Sequence, residues 1–175
     1  VVFENGDIVF GYPKIRRPLV LDPAIERHFS GAVAVEEKMN GHNVRVLSVS
    51  GETVALTRGG FICPYSTEVA RRLVPEDIFL KHPGLVLCGE MVGPENPYVA
   101  KEIYPTDSID FYLFDVAEKN RKGTAGVHKT HELAERFGLK ATAFLGQFQK
   151  DVAAEKIRQI VLRLGRQGRE GVVLK

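Results

Sequence analysis

Residues 32–49 read AVAVEEKMNGHNVRVLSV, in which two apolar runs flank an Asn-Gly pair. The first run, residues 32–35, and the second, residues 43–49, both predict strands. In the second, Val44 and Val46 alternate with Asn43, Arg45 and Leu47, which defines two strand faces. An Asn-Gly pair between strands is typical of a type I′ turn, since both residues tolerate positive φ. The stretch therefore predicts an antiparallel hairpin that places Lys38 at the end of its first strand.

The elements around this stretch mix strands and helices. Further strands are predicted at residues 54–58, after a turn at Ser50 and Gly51, and at 85–91, 111–116 and 171–175. Helices are predicted at 66–73, 130–137 and 151–164, the last two followed by glycine. Residues 93–105, rich in proline, predict a loop. Because no regular βαβ alternation is present, we predict an α+β fold with mostly antiparallel sheets flanked by helices.

Composition points to an ordinary globular domain. The chain has 175 residues, of which 44% are hydrophobic and 26% charged, so a single domain spanning residues 1–175 is expected. The net charge of +2 is too balanced to indicate nucleic-acid binding by itself. Cys63 and Cys88 stand far apart and are interpreted as buried apolar thiols in a reducing compartment. No apolar run approaches the length of a membrane span, and we expect a cytoplasmic protein.

Nucleotide chemistry, if present, needs a device other than a P-loop. Residues 6–11 come nearest to that motif, but Tyr12 stands where its lysine is required. The alternative is a Lys-x-x-Gly pattern, which occurs at Lys38 and again at Lys81. The second copy contains Pro83 and lacks flanking acids, so we interpret it as a turn. Taken alone, the first copy is best explained as a solvated lysine on a hairpin edge.

Four further motifs follow Lys38 in order, and the set changes that interpretation. They are Thr57-Arg58-Gly59-Gly60, Cys88-Gly89-Glu90, Phe111-Tyr112-Leu113-Phe114-Asp115 and Glu170-Gly171-Val172-Val173-Leu174-Lys175. The set resembles the motifs of the lysine-adenylating nucleotidyltransferases, which comprise DNA ligases, RNA ligases and mRNA capping enzymes. DNA ligases of this pattern usually carry Asp and Arg where this chain has Asn40 and Asn43. With residues 90–98, the chain looks most like the archaeal ATP-dependent RNA ligases.

The resemblance implies a covalent mechanism with ATP as substrate. Lys38 would attack the α-phosphate and become a lysyl-adenylate. A free lysine amine has a pKa of about 10.4 and is almost fully protonated at pH 7, so it needs neighbouring positive charge or desolvation. Lys175 and a bound Mg²⁺ or Mn²⁺ are the expected sources of charge. Glu90 and Glu170 are the expected metal carboxylates.

The same resemblance assigns further contacts. Alternation along residues 111–116 predicts that Phe114 shares a strand face with Tyr112 and Val116. Phe114 would stack on adenine, although a core aromatic is an equal alternative, and Glu36 would read the adenine amino group. Arg58 would contact ribose or a substrate phosphate unless it is a solvated loop charge. Asn43 would lie near the RNA phosphate in the later steps, together with Arg45, or both would belong to a polar outer face. The resemblance also counts Asn43 among the catalytic residues and the ATP contacts. The remaining expected ATP contacts are Glu37, Asn40, Gly41 and Val172.

Two side-chain groups carry weaker signals. His128 and His131 have the i, i+3 spacing of a metal pair but lack accompanying ligands, so an ordinary helix surface is the better interpretation. Arg163, Arg166 and Arg169 form a basic cluster that either meets RNA phosphates or is a solvated helix end.

The function that combines these assignments is ATP-dependent joining of RNA 5′-phosphate and 3′-hydroxyl ends. The alternatives are a DNA ligase and a non-catalytic nucleotide- or RNA-binding module. The expected partner is 5′-phosphorylated single-stranded RNA, no membrane partner is expected, and a homodimer stays open for the full-length protein. We expect the chain to be a fragment, since proteins of this pattern carry a later strand with paired lysines. These 175 residues alone would then bind ATP, adenylate slowly and not seal RNA.

Overall fold

The computed structural model describes residues 1–94 and 107–175, so most of the loop predicted at 93–105 lies outside the described residues. Its strands are β1 (Val33–Lys38), β2 (His42–Val49), β3 (Glu52–Thr57), β4 (Leu85–Val92), β5 (Asp110–Glu118), β6 (Phe144–Phe148) and β7 (Gly171–Leu174). Its helices are α1 (Leu21–His28), α2 (Pro64–Leu73), α3 (Asp77–Lys81), α4 (Val127–Arg136) and α5 (Lys150–Arg166). The strands of both sheets pair antiparallel, which confirms the predicted α+β fold.

The chain divides into two compact units. The large unit comprises Val1–Pro13 and Gly41–Ala141, and the small unit comprises Lys14–Asn40 and Thr142–Lys175. The chain passes from the small to the large unit between Asn40 and Gly41, the last two residues of the first Lys-x-x-Gly motif.

The large unit is built on a four-stranded sheet with the order β3-β2-β4-β5. The predicted turn at Ser50 and Gly51, with φ of 51° and 88°, joins β2 to β3. One face of the sheet packs against α2, α3 and α4 in a core that includes Val44 and Val46. The opposite face, which includes Leu47, packs against the amino-terminal segment. The predicted division of β2 into two faces is confirmed for these three residues.

The predicted hairpin at Asn40 and Gly41 is wrong. β1 pairs with β6 and β7, whereas β2 pairs with β3 and β4, so the two strands belong to different sheets. Gly41 serves close approach instead of a positive-φ turn. A Cβ built on it would lie 2.4 Å from the carbonyl oxygen of Met91 and 2.8 Å from Cγ of Glu90. Only glycine allows β4 to come this near.

The small unit contains a three-stranded sheet with the order β6-β1-β7. Val33 and Val35 of β1 are fully buried against α5 and α1. Five apolar residues of α5 recur at helical spacing, which predicts one buried face. The prediction is confirmed at Ala153, Ile157, Ile160 and Leu164 but is wrong at Val161, which is 40% exposed. Apolar contacts of Val33 and Val35 with this face hold β1 in place.

Some local structure departs from the predictions. The sequence did not indicate α1, α3 or β6. Cys63 is not the buried thiol expected, because it lies half-exposed at the start of α2 and its Sγ accepts the Ser66 N–H at 3.5 Å. Cys88 is buried as predicted. Within the described residues, no helix combines the length and apolar character needed to cross a membrane.

Candidate active site

The end of β1 carries three charged residues in a row, and β7 lies beside them. In the antiparallel register, Glu36 stands opposite Val173, Glu37 opposite Val172 and Lys38 opposite Gly171. Because consecutive residues of a strand point to alternate faces, Glu36 and Lys38 share one face while Glu37 takes the other. Each of the three side chains forms an ion pair with a residue in or next to β7.

These ion pairs differ in burial. Lys175 Nζ lies 2.5 Å from a carboxylate oxygen of Glu36, whose side chain is only 2% exposed. The Lys38 amine pairs with Oε1 of Glu170, and both side chains are partly exposed, at 43% and 33%. A buried pair leaves a stranded charge when one partner is removed, whereas an exposed pair contributes little to stability. Removing one partner of the Glu36 pair would therefore destabilise the fold, whereas the partly exposed Lys38 amine is open to a reactant.

The third pair joins Glu37 to Arg169, with 3.2 Å between Oε1 and Nη1. Arg169 was predicted only as part of a basic cluster, and its carboxylate partner was missed. Arg163 and Arg166 lie in the last turn of α5. Val172, an expected ATP contact, packs partly buried against the core of the small unit.

In the large unit, Asn43 and Glu90 stand directly opposite each other on β2 and β4. Side chains in such a pair have Cβ atoms about 5 Å apart. Oδ1 of Asn43 is buried and has no hydrogen-bond partner within the described part of the chain. Because an unpaired buried carbonyl is costly, this oxygen is a natural acceptor for a ligand. The predicted Asn43 and Glu90 thus lie together.

Arg58 lies at the tip of a tight turn that follows β3. The turn is closed by the Thr57 N–H, which donates to the Phe61 carbonyl at 2.8 Å, and by the Gly60 N–H, which donates to the Thr57 carbonyl at 2.9 Å. The Phe61 N–H also donates to Oγ1 of Thr57, at 3.2 Å. These bonds present Arg58 as an exposed cation on a constrained backbone.

Phe114 occupies a β-bulge in β5. Cys88 pairs with Asp115 and the next residue of β4, Gly89, pairs with Leu113, so Phe114 is the extra residue. A bulge reverses the side-chain alternation beyond it. Phe114 consequently does not share a face with Val116, as the uninterrupted alternation predicted, but packs half-buried on the opposite side of the sheet. Its ring meets Tyr12 edge to face, with centroids 5.2 Å apart.

Arg45 is not available to a phosphate. It is 2% exposed, and its guanidinium donates to the carbonyls of Phe10, at 2.7 Å, and Thr57, at 3.0 Å. Burial lowers the pKa of this guanidinium. The expectation that Arg45 joins Asn43 at a phosphate is therefore wrong, because its hydrogen bonds hold it inside the large unit.

The family model for RNA ligases matches residues 31–175 of this chain. The chain belongs to the RNA ligase family. Its match begins two residues before β1 and includes Lys38 and all four later motifs. The family predicted from the ordered motifs is thus confirmed.

Individual proteins and solved structures are also similar to this chain. An uncharacterized protein of Methanocaldococcus jannaschii, MJ0414, is 38% identical to this chain. The match covers 98% of this chain and 45% of MJ0414. A structure described as an archaeal ATP-dependent RNA ligase, form 2, is similar with a TM-score of 0.92 and 43% identity, over 99% of this chain and 47% of that one. A structure described as a putative ATP-dependent DNA ligase from Aquifex aeolicus has a TM-score of 0.88 and 36% identity, over 95% and 46%. The chain spans about half the length of these relatives.

Proposed function

We propose that the protein is an ATP-dependent RNA ligase and that Lys38 is its nucleophile. The observation that carries this proposal is the half-exposed Lys38 amine, held at the end of β1 by Glu170, in a member of the RNA ligase family. The Lys38 Nζ loses a proton and bonds to the α-phosphorus of ATP, and pyrophosphate leaves. AMP then passes to the 5′-phosphate of RNA, and a 3′-hydroxyl attacks that phosphate and expels AMP.

The other assignments extend this proposal. Phe114 stacks on adenine, a role that its half-exposed ring and position in a bulge support. Glu36 reads the adenine amino group, and Lys175 offsets phosphate charge. Arg58 contacts ribose or a substrate phosphate, which its exposure supports. The remaining ATP contacts that we propose are Glu37, Asn40, Gly41 and Val172.

Glu90 and Glu170 are proposed to hold a divalent cation, Mg²⁺ or Mn²⁺. Mg²⁺ usually takes one or two protein carboxylates and completes its shell with phosphate oxygens and water. Within residues 1–94 and 107–175, no group of three or more His, Cys, Asp or Glu side chains is placed to hold a metal ion. Two carboxylates suit a cation that also binds nucleotide phosphates. When bound, the ion would offset developing charge on the α-phosphate.

A comparison of substrates tests the proposed activity. The purified full-length protein should join a labelled 5′-phosphorylated single-stranded RNA in the presence of ATP, and it should join nicked duplex DNA more slowly. Asn43, which stands where DNA ligases of this pattern usually have arginine, is the reason for this order. A higher rate on nicked DNA would favour the DNA ligase alternative. The Aquifex structure to which this chain is similar is itself described as a putative DNA ligase.

Asn43→Ala should impair the later steps more than the first. The unpaired Oδ1 of Asn43 lies opposite Glu90 and, in our proposal, near the RNA phosphate. We expect label uptake from ATP to fall less than about threefold, while joining of a preadenylated RNA falls about tenfold or more, as for loss of a charge-assisted hydrogen bond. The two assays are run on the same preparations, with Asn43→Asp as a second variant. Equal losses in both assays would contradict the proposed position.

A further inference from the structure

The large unit contains a groove lined by positively charged side chains. An open groove of about 640 Å³ runs between the start of β4, the end of β5, the loop after β5 and the first turn of α4. Its position at Leu85 and Glu118 is the opposite end of the β4–β5 pair from Glu90, which faces Tyr112. At about 3.4 Å per residue, the five steps from Leu85 to Glu90 correspond to roughly 17 Å. Within the large unit, the groove is therefore separate from Glu90.

The groove concentrates positive charge. The whole chain carries a net charge of only +2, so a strongly cationic surface has to be local. Among the residues that the structure describes, the groove is lined by one carboxylate, Glu118, and by five lysine or arginine side chains: Lys81, Lys119, Arg121, Lys122 and Lys129. Facing surfaces of one sign raise the local concentration of ligands of the other sign.

The lysines of the groove differ in whether they already form ion pairs with carboxylates. Lys119 is only 10% exposed and donates to Asp7 at 2.8 Å, a bond that lowers the pKa of the Asp7 carboxyl. Lys81 pairs with Asp77 at 2.8 Å. Lys122 and Lys129 are exposed and form no ion pair within the described residues. Lys122 Nζ also lies 5.5 Å from the centroid of the Phe10 ring, a contact that does not neutralise its charge. Both ammonium groups therefore carry positive charge that an anionic ligand can bind.

The amino-terminal end of α4 adds positive electrostatic potential to the groove. α4 begins at Val127 with Gly126 as its N-cap, and no side chain caps it and no acid lies in its first turn. The first backbone N–H groups of a helix and its dipole favour negative charge. Lys129 lies in this turn, at the groove wall. Side chain and backbone thus carry the same sign.

We propose that this groove binds the phosphodiester backbone of RNA several nucleotides away from the ends being joined. The inference rests on the proposed RNA-joining function and extends it to a second contact region. Phosphates repeated along a strand offer several negative charges to the several cations that line this groove. An acidic peptide would be expected to anchor by apolar side chains, but Leu85, Val116 and Leu133, which also line the groove, are buried.

Charge reversal at the two available lysines tests the proposal. The Lys122→Glu/Lys129→Glu protein is compared with Lys14→Glu/Lys156→Glu, which makes the same charge change at exposed lysines outside the groove. Binding is measured by fluorescence anisotropy with a 20-nucleotide RNA that carries a 5′-hydroxyl and cannot be joined. Each single-stranded phosphate contact contributes about 0.7 to the slope of log affinity against log salt. The groove variant should therefore lose about 1.4 from the slope, and about tenfold in affinity near 0.15 M salt.

Four results separate the possible outcomes. Label uptake from ATP should be unchanged in both double variants, which shows that they fold and keeps the first chemical step apart from RNA binding. A groove variant that matches the control in affinity and salt slope would overturn the proposal, even if the protein joins RNA. Polyglutamate that displaces the RNA from wild type as well as a competing RNA does would show a general acidic-polymer site instead. If wild type binds the RNA with the expected salt dependence but joins nothing, the joining activity fails and the groove does not.

Discussion

Replacing Lys38 with alanine should abolish covalent labelling of the protein by ATP that carries the label on its α-phosphate. The label is expected on the Lys38 nitrogen as a phosphoramidate, which is labile to acid and stable to alkali. Loss of the nucleophile removes the bond-forming atom, so the rate should fall by at least about four orders of magnitude. The measurement is denaturing electrophoresis of the full-length protein followed by mapping of the labelled peptide.

Lys38→Arg is the informative companion variant. Arginine retains the positive charge and can still pair with Glu170, but its guanidinium stays protonated and does not attack phosphorus. It should therefore keep the fold and lose the label as completely as alanine does. Lys81→Ala removes the lysine of the second Lys-x-x-Gly, which pairs with Asp77, and should label normally. Label mapped to Lys81, or unchanged labelling of Lys38→Ala, would refute the assigned nucleophile.

The family was predictable because its motifs are local. Lys38, Arg58, Glu90, Phe114 and Glu170 each stand in a short pattern at or near a strand, and their order survives in the sequence without any knowledge of pairing. The family model that matches residues 31–175 confirms this inference. The individual roles of these residues stay predictions, as does the single domain.

Pairing between distant segments was less predictable. The Asn-Gly turn signal at residues 40–41 is local, but the partners of β1 are β6 and β7, more than 100 residues later. A glycine required by the Met91 carbonyl looks the same in sequence as one required by a turn. The ion pairs of Glu36 and Glu37 depend on the β1–β7 register in the same way. Complementary charges in residues 36–38 and 169–175 were the available signal.

Two other predictions, for Phe114 and Arg45, were wrong because the local sequence does not mark the structural feature that decides each of them. The bulge at Phe114 shifts the alternation of β5 by one residue, and nothing in a run of apolar and aromatic residues marks where the extra residue falls. Arg45 follows the polar face of β2 in sequence, yet backbone carbonyls of Phe10 and Thr57 hold it inside the large unit. Carbonyl acceptors are present at every residue, so composition does not reveal which of them are free to bind a buried guanidinium.

Glu170→Ala should lower label uptake from ATP about a hundredfold or more with little change in stability. In our proposal Glu170 has two duties: it accepts from the Lys38 amine, as in the structure, and it helps to hold the divalent cation. Glutamine can still accept from the amine but lacks the negative charge that the cation needs, so Glu170→Gln should lose nearly as much as alanine does. Misplacing a reacting group by about 1 Å costs on the order of a hundredfold.

The burial of each ion pair indicates whether a loss of label uptake reflects impaired chemistry or unfolding of the protein. The Lys38–Glu170 side chains are 43% and 33% exposed, so removing this pair should change the free energy of unfolding by at most about 1 kcal/mol. Glu36→Ala would instead strand the Lys175 ammonium beside a site only 2% exposed, and a loss of activity there would be confounded by unfolding. Glu26→Ala, which removes an exposed ion pair with Lys150 in the same unit, is the matched control and should label normally. Thermal unfolding and label uptake are measured together across a magnesium titration. Near-normal labelling of Glu170→Ala at every magnesium concentration would show that Glu170 neither positions the amine nor serves the cation.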